Sequence, residues 1–374
     1  PLFRDAPFGD TAVEEFDFLQ LRAGFNFAWT HRHYYQARHA QYNRDQWVND
    51  LYLAMGQPGT HGRWVHLYLN GLYWGLYHVH ERPDGDFMSS YFGGESDDYD
   101  ALSSGQPKSG DTTAWNTMMS IARGNITSPS QYTAIQEYLD IDSLIDYMLL
   151  NFFVGNTDWD GHNWRAARKR ETGAGYLMLP WDSEFALSPN GPGVINNPQP
   201  LSNALNINVT GRDGTGRPSG LHQDLSANAE YRMRFADRVH RHLFNDGALS
   251  PAIAGSLWRA RSDLMDQAVV AESARWGDFR YDTDSGRWQP GDFARYTPNQ
   301  HYRQDQAWIL RSYIPQRGAV LLEQLRSRNL YPLTEAPRFR QHGGSVAVGQ
   351  ALTISNPNPA GVVYYTMDGS DPRD

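Results

Sequence analysis

Gly155-Asn-Thr-Asp-Trp-Asp-Gly-His-Asn-Trp164, with Pro180-Trp-Asp-Ser-Glu184 shortly after it, decides how this chain is read. Trp164 to Lys169 and Tyr176 to Leu179 have the composition of short strands, and Glu171-Thr172-Gly173 between them is a turn. That pattern predicts a β-hairpin whose two outer ends lie side by side. Asn163 stands just before the first strand and Asp182 just after the second, so antiparallel pairing brings an amide oxygen and a carboxylate together although they are nineteen positions apart. Two hard oxygen donors held close suit Mg2+ or Mn2+. Asp158 lies in the loop leading into the hairpin, where a second carboxylate can orient a hydroxyl or accept its proton. Asp followed five places later by Asn is also the spacing of a phosphoryl-transfer catalytic loop. The same run is open to a plainer reading, as turn and capping residues or as part of a calcium-binding loop.

Upstream, Asp140 is followed by Ile141, Leu144, Ile145, Met148, Leu149, Phe152 and Phe153, a wide apolar stripe at helical spacing that Gly155 ends. Further back, Arg63 to Leu69 and Leu72 to His80 alternate as strands around Asn70-Gly71, which supplies the positive φ angles of a type I′ turn. The second strand runs into Glu81-Arg82-Pro83-Asp84, where proline stops the sheet and forces an extended connector suited to a hinge between two lobes. Glu81 and Arg82 there read equally as a strand-end ion pair or as a direct nucleotide contact.

Leu67-Tyr-Leu-Asn-Gly-Leu-Tyr-Trp-Gly-Leu-Tyr77 with Glu81 and Asp84, then Gly155 to Asp158 with Asn163-Trp164, then Trp181-Asp182-x-Glu184, resemble the CotH kinase family, atypical kinases named after a spore-coat protein. Leu21-Arg22-Ala23-Gly24 and Tyr42-Asn-Arg-Asp45 fit the same pattern, so the likeness covers roughly residues 1 to 330. The resemblance implies an α+β, two-lobed kinase-like fold, with a truncated β-rich small lobe to about residue 82 and a mostly helical large lobe over about 83–332. It further implies ATP with Mg2+ or Mn2+ as cofactors, a protein substrate phosphorylated on Ser or Thr, and an extracellular or cell-surface location. By motif, Asp158 is the catalytic-loop Asp. Asn163 and Asp182 are metal ligands, with Glu184 a lesser one, and Glu81 and Asp84 lie near the hinge and the nucleotide ribose. Asp160 and His162 are lesser candidates, His162 reading first as a loop hydrogen-bonder.

One departure from the pattern stands out. A kinase holds the α and β phosphates with a small-lobe lysine, and the only lysines here are Lys108 and Lys169. Lys108 lies in the polar stretch from Ser103 to Asp111, expected to be a solvated insertion, and Lys169 belongs to the basic run from Arg165 to Arg170 on the hairpin. In the family the lysine strand precedes a segment like Pro1 to Arg4, so the chain is expected to be a fragment that starts inside the small lobe. Either the missing lysine lies upstream and the whole protein is active, or Arg22 or another arginine replaces it and the protein is a weak or inactive kinase. Arginine is not a simple substitute for an ammonium group in the same pocket.

A formal net charge of -9 argues against binding a nucleic-acid backbone. No run is long and apolar enough to cross a bilayer, and zero cysteines exclude disulfides and thiolate metal sites. Residues 188–226 are rich in Gly, Asn and Pro and are expected to form a long substrate-docking or activation segment. Helical patterns return over Ala229 to Phe244, Pro251 to Ala271 and Tyr302 to Arg328, with Pro315 interrupting the last. Asp282 to Gly286 reads as a plain turn or a calcium site.

After Pro332 the chain changes to short alternating runs between Gly and Pro turns. Tyr364 to Pro372 resembles the chitobiase/β-hexosaminidase C-terminal module, an immunoglobulin-like sandwich. Residues 333–374 are thus expected to be the start of such a sandwich, with possible glycan contact. Two other function classes stay open: a catalytically inactive, kinase-like surface or matrix-binding protein, and a carbohydrate-active enzyme with a carboxylate pair across a glycosidic bond.

Overall fold

The computed structural model describes residues 8–9, 11–191, 199–284, 293–368 and 370–373. The Pro1 to Arg4 segment, residues 192–198 of the 188–226 segment, residues 285 and 286 of the Asp282 to Gly286 run and Gly369 of the final motif lie outside them; Asp282 to Asp284 end a helix rather than form a turn. The chain is a mixed α+β protein. Strands β1 (Leu19–Arg22), β2 (Gly62–Leu69) and β3 (Leu72–Glu81) form an antiparallel sheet in the order β1-β3-β2. Asn70 and Gly71 both take positive φ, as the expected tight turn between β2 and β3 requires. The pairing slips by one residue at Leu67/Tyr68, opposite Gly75. A Cβ on Gly75 would stand 3.0 Å from Trp276 Nε1 and 3.2 Å from Glu272 Oε2, so only glycine lets the later helix approach the strand this closely.

Helix α1 (Tyr34–Arg38) and α2 (Arg44–Ala54) lie between β1 and β2. In α2, Trp47, Val48, Leu51 and Tyr52 are buried in the same apolar core as the long stripe downstream. On its other side Arg44, Asp45, Gln46, Asn49 and Asp50 are also buried. A helix buried all round needs partners for its polar side chains. Gln46 reaches Asp50 and His78, and Asp50 is bound by Arg261 at 2.6 Å.

After β3 come α3 (Gly85–Phe92), strands β4 (Tyr99–Ser103) and β5 (Gln106–Ser109), and helices α4 (Thr113–Ala122), α5 (Pro129–Ile135) and α6 (Ile141–Val154). The segment holding Lys108 forms an exposed hairpin arm: Ser104 and Gly105, both at positive φ, turn β4 into β5. β4 then pairs with β6 (Trp164–Lys169), giving a four-stranded sheet β5-β4-β6-β7 with β7 at Leu177–Pro180. Polar character along β5 reflects an exposed edge strand.

Helix α6 is capped as its sequence dictates. Asp140 accepts from the Ser143 amide at 2.8 Å, and Gly155 closes the C-terminus at φ 57°. Every residue from Ser143 to Val154 is buried. Burying its C-terminal end leaves carbonyls without helical partners. Buried Arg317 answers them, donating to Phe153 O at 2.8 Å, to Phe152 O and to Leu205 O at 2.7 Å.

Helices α7 (Pro218–Leu225), α8 (Ala229–Leu243), α9 (Pro251–Trp276), α10 (Phe279–Asp284), α11 (Arg303–Trp308) and α12 (Ile314–Ser327) complete the body. Pro315 does not break the last helical run. The turn Ile309–Tyr313 ahead of it opens to π spacing, which accommodates a residue with no amide proton. The small sheet rests on α9. Glu272 Oε2 accepts the Leu76 amide at 2.8 Å, Trp276 Nε1 donates to Trp74 O at 2.6 Å, and Leu76 packs in one cluster with Met265 and Val269.

Past Tyr331, among the described residues, only Arg338–Phe339 and Ile354–Ser355 pair as strands. The runs 346–348 and 362–366, expected as strands of a sandwich, are not strands. Leu352, Val362, Tyr364 and Tyr365 are exposed, since among the described residues no second sheet faces them to bury an apolar side.

Candidate functional site

The site is built at the end of the β6–β7 ladder. Trp164 is opposite Pro180, so Asn163 and Trp181 leave the sheet together and Asp182 follows at once. Ser104 in the β4–β5 turn fastens the other side, its amide donating to Trp164 O at 2.9 Å and its hydroxyl to His162 O. The loop from Gly155 is set from behind. Buried Asn156 donates to Asn151 Oδ1 at 3.2 Å and accepts the Asp158 amide at 3.1 Å, and Arg212 holds Thr157 O.

Asp158 and Asn163 meet: the Asn163 amide donates to Asp158 Oδ2 at 3.2 Å. His162 Nε2 stands 3.6 Å from the same oxygen, with its ring largely in solvent. Burial raises the Asp158 pKa above the usual carboxylate range. His162 opposes that shift and the nearby charge of Asp182 adds to it. Asp182 takes a left-handed backbone, φ 54° and ψ 48°, which turns the chain sharply out of β7.

Across the cleft stands Arg22 of β1. Its Nη2 donates to Asp182 Oδ1 at 2.6 Å and to Glu184 Oε1 at 3.1 Å, and its Nη1 lies 3.5 Å from Asp45 Oδ2. Burial works against the charged guanidinium, but the three carboxylates outweigh it and hold its pKa above the ordinary arginine value. Asp45 in turn accepts the Ser183 amide at 2.7 Å, which ties α2 to the turn after β7. Glu184 is 2% exposed, and its Oε2 takes the Asn26 amide at 2.6 Å. Burial, then the charge of Asp182, pushes its pKa up to about 8, with Arg22 pulling the other way.

The remaining residues singled out in the sequence lie in other surroundings. Glu81 is 2% exposed with both oxygens engaged: Oε2 accepts the His61 amide at 2.7 Å and sits 2.9 Å from His61 Nδ1, and Oε1 accepts the Tyr91 hydroxyl at 2.6 Å. Asp84 caps α3, accepting the Phe87 amide at 3.3 Å, and pairs with Arg82 at 3.4 Å. Asp160 is buried and accepts the Ser219 amide at 3.2 Å, holding α7 to the loop.

Neither lysine approaches the cleft. Lys169 ends β6 opposite Tyr99 and pairs with Glu171 at 3.6 Å, six residues from Asn163, or roughly 20 Å along an extended strand. Lys108 projects from the exposed edge strand β5. The cations of the cleft are arginines: Arg22, and Arg165, whose guanidinium lies 4.1 Å from the centre of the Trp181 ring.

Sequence reasoning gave Asp45 no role beyond its place in the Tyr42 to Asp45 pattern, and read Arg165 only within the basic run 165–170, as serving the nucleotide, an acidic substrate or solubility. The signal for Asp45 was a run of charged and amide residues in a helix that also carries Trp47, Val48 and Leu51, since charges held in a buried helix are there for partners.

Hard oxygen donors suit a divalent cation in chemistry. Asp182 Oδ2 has no protein donor among the described residues, whereas both oxygens of Glu184 are taken by Arg22 and Asn26. Asp182 with Asn163 therefore fits a cation better than Glu184 does. Among the described residues no three His, Asp or Glu side chains are gathered as a metal-ligand cluster, and Arg22 stands among these carboxylates.

A family model described as CotH kinase protein matches residues 39–321 of the chain. No curated protein matched.

Proposed function

The chain belongs to the CotH kinase family, and from that premise we propose that it serves a metal-dependent transfer of the ATP γ-phosphate to Ser or Thr of a secreted or surface protein. The observation that carries this reading is the hydrogen-bonded pair Asp158–Asn163 at one end of β6, with Asp182 leaving the adjacent strand β7. A nucleotide and its cation, when bound, supply the phosphoryl group and neutralise its charge. Asp182 and Asn163 would hold the cation. Asp158, kept from full solvation by burial and fixed by Asn163, orients the acceptor hydroxyl and takes its proton. Asp45 and Arg22 hold the turn that carries Asp182 in place.

A second reading, a kinase-like scaffold without activity, draws on one observation: the guanidinium of Arg22 already neutralises Asp182 and Glu184, and both lysines lie elsewhere. One assay separates the two. Transfer from ATP to casein or to the protein itself, with Mg2+ or Mn2+, is measured for wild type, Asp158→Ala and Asp182→Ala. Transfer that both substitutions abolish supports the kinase; transfer unchanged by either removes this site assignment. Nucleotide binding without transfer favours the inactive scaffold.

A further inference from the structure

Arg165 is 5% exposed, and its Nε and Nη1 have no acceptor among the described residues. Its position follows from strand alternation. Trp164 and Ala166 face the main core, while Arg165 shares its face with Ala167, which packs with Leu179, Phe87 and Met88 under α3. That face looks toward the connector between β3 and α3, and the charges acting on Arg165 are those of Arg82, Asp84, Arg22 and Asp182. Both acids are engaged by other arginines: Asp84 pairs with Arg82 and Asp182 with Arg22. Trp181 covers the flat face of the guanidinium and leaves its edge, where all the donors point, unanswered.

A guanidinium buried with idle donors is costly, and interiors rarely keep one without use. The planar edge of an arginine matches two oxygens of one phosphate.

We propose that the edge of Arg165 binds a phosphate group of the nucleotide, so that an arginine on β6 serves where neither lysine of the chain reaches. This rests on the nucleotide-binding reading above. It also makes a separable claim: Arg165 is kept for its ligand and at the expense of stability.

Calorimetric titration of the full chain with ATP, adenosine and inorganic tripolyphosphate in Mg2+ tests it, on wild type, Arg165→Leu and Arg165→Lys. Arg165→Leu is expected to weaken ATP and tripolyphosphate at least tenfold, the scale of a hydrogen bond to a charged group, and to leave adenosine within twofold. Its melting temperature is expected to equal or exceed that of wild type, and Arg165→Lys to recover part of the affinity. Equal affinities of wild type and Arg165→Leu for ATP and tripolyphosphate overturn the proposal. So does absence of binding by wild type, or a lowered melting temperature with loss of all three ligands. Tripolyphosphate binding lost in Arg165→Leu, in a protein that transfers no phosphate, keeps this inference and sinks the kinase reading alone.

Discussion

Arg22 and Asp182 are 160 residues apart in sequence and 2.6 Å apart in space. Their pair closes the small sheet onto the turn that ends the β6–β7 hairpin, and Glu184 and Asp45 share the same guanidinium. Removing one partner of a buried ion group strands the others. Arg22→Ala is therefore expected to destabilise the fold by about 3 kcal/mol, measured by urea unfolding. An Arg22→Ala protein as stable as wild type removes this interaction from the account of how the site is held.

Asp158 and Asn163 divide the work differently from Asp182. Asp158→Asn is expected to cut transfer by roughly 10²- to 10⁴-fold, the scale of a lost general base, with nucleotide affinity within about twofold of wild type. Asp182→Asn is expected instead to weaken cation-dependent nucleotide binding. Steady-state kinetics with cation and ATP titrations check both, and a fall in affinity alone for Asp158→Asn contradicts the base assignment.

Glu272 joins α9 to the small sheet, accepting from the Leu76 amide at 2.8 Å and the Tyr42 hydroxyl at 3.4 Å. Burial raises its pKa to about 7, against roughly 4.3 for an unfolded glutamate. A folded pKa above the unfolded one means that the folded state holds the proton more tightly. Its contribution is then full below about pH 4 and is lost as pH rises through 7. Wild type is expected to lose about 3 kcal/mol from this group between pH 4 and 7, and Glu272→Gln to lack that slope. Unfolding free energies at several pH values decide it; identical slopes for the two proteins contradict the assignment.

Glu81 offers a direct test of a nucleotide role. Its oxygens are occupied by His61 and Tyr91, so Glu81→Gln is expected to cost about 1–3 kcal/mol of stability and to leave ATP affinity unchanged. A large loss of affinity without loss of stability restores the ribose contact that the sequence suggested.

The segment after Pro332 makes few buried contacts, and the Arg373–Glu230 pair joining it to α8 is solvent-exposed. Exposed pairs contribute little. A chain ending at Pro332 is expected to melt within a few degrees of the full chain by calorimetry. A large drop in melting temperature means that the segment is part of the core fold.

Local patterns carried much of the architecture. Asn70-Gly71 specified its hairpin, because two adjacent positive φ angles suit few other pairs. Asp140 and Gly155 bounded α6, because helix ends need donors and acceptors that only certain residues supply. The β6–β7 pairing followed from alternation and a turn, and with it the nearness of Asn163 to the end of β7. Strand β5 was missed because an exposed edge strand is polar and reads as a loop. The sandwich expected after residue 332 did not form among the described residues, because alternation alone does not supply a facing layer.

The sequence by itself determined which oxygens stand at the hairpin mouth, since antiparallel pairing is a local rule that converts spacing into proximity. Only the tertiary structure decided which charges answer them. Arg22 comes from β1 far upstream, shared there with Asp45 of α2, and its meeting with Asp182 and Glu184 depends on how a sheet docks on helices. Burial likewise turned Glu81 into a fastening between β3 and the loop before β2, because a carboxylate out of water must be answered by whatever donors the fold brings to it.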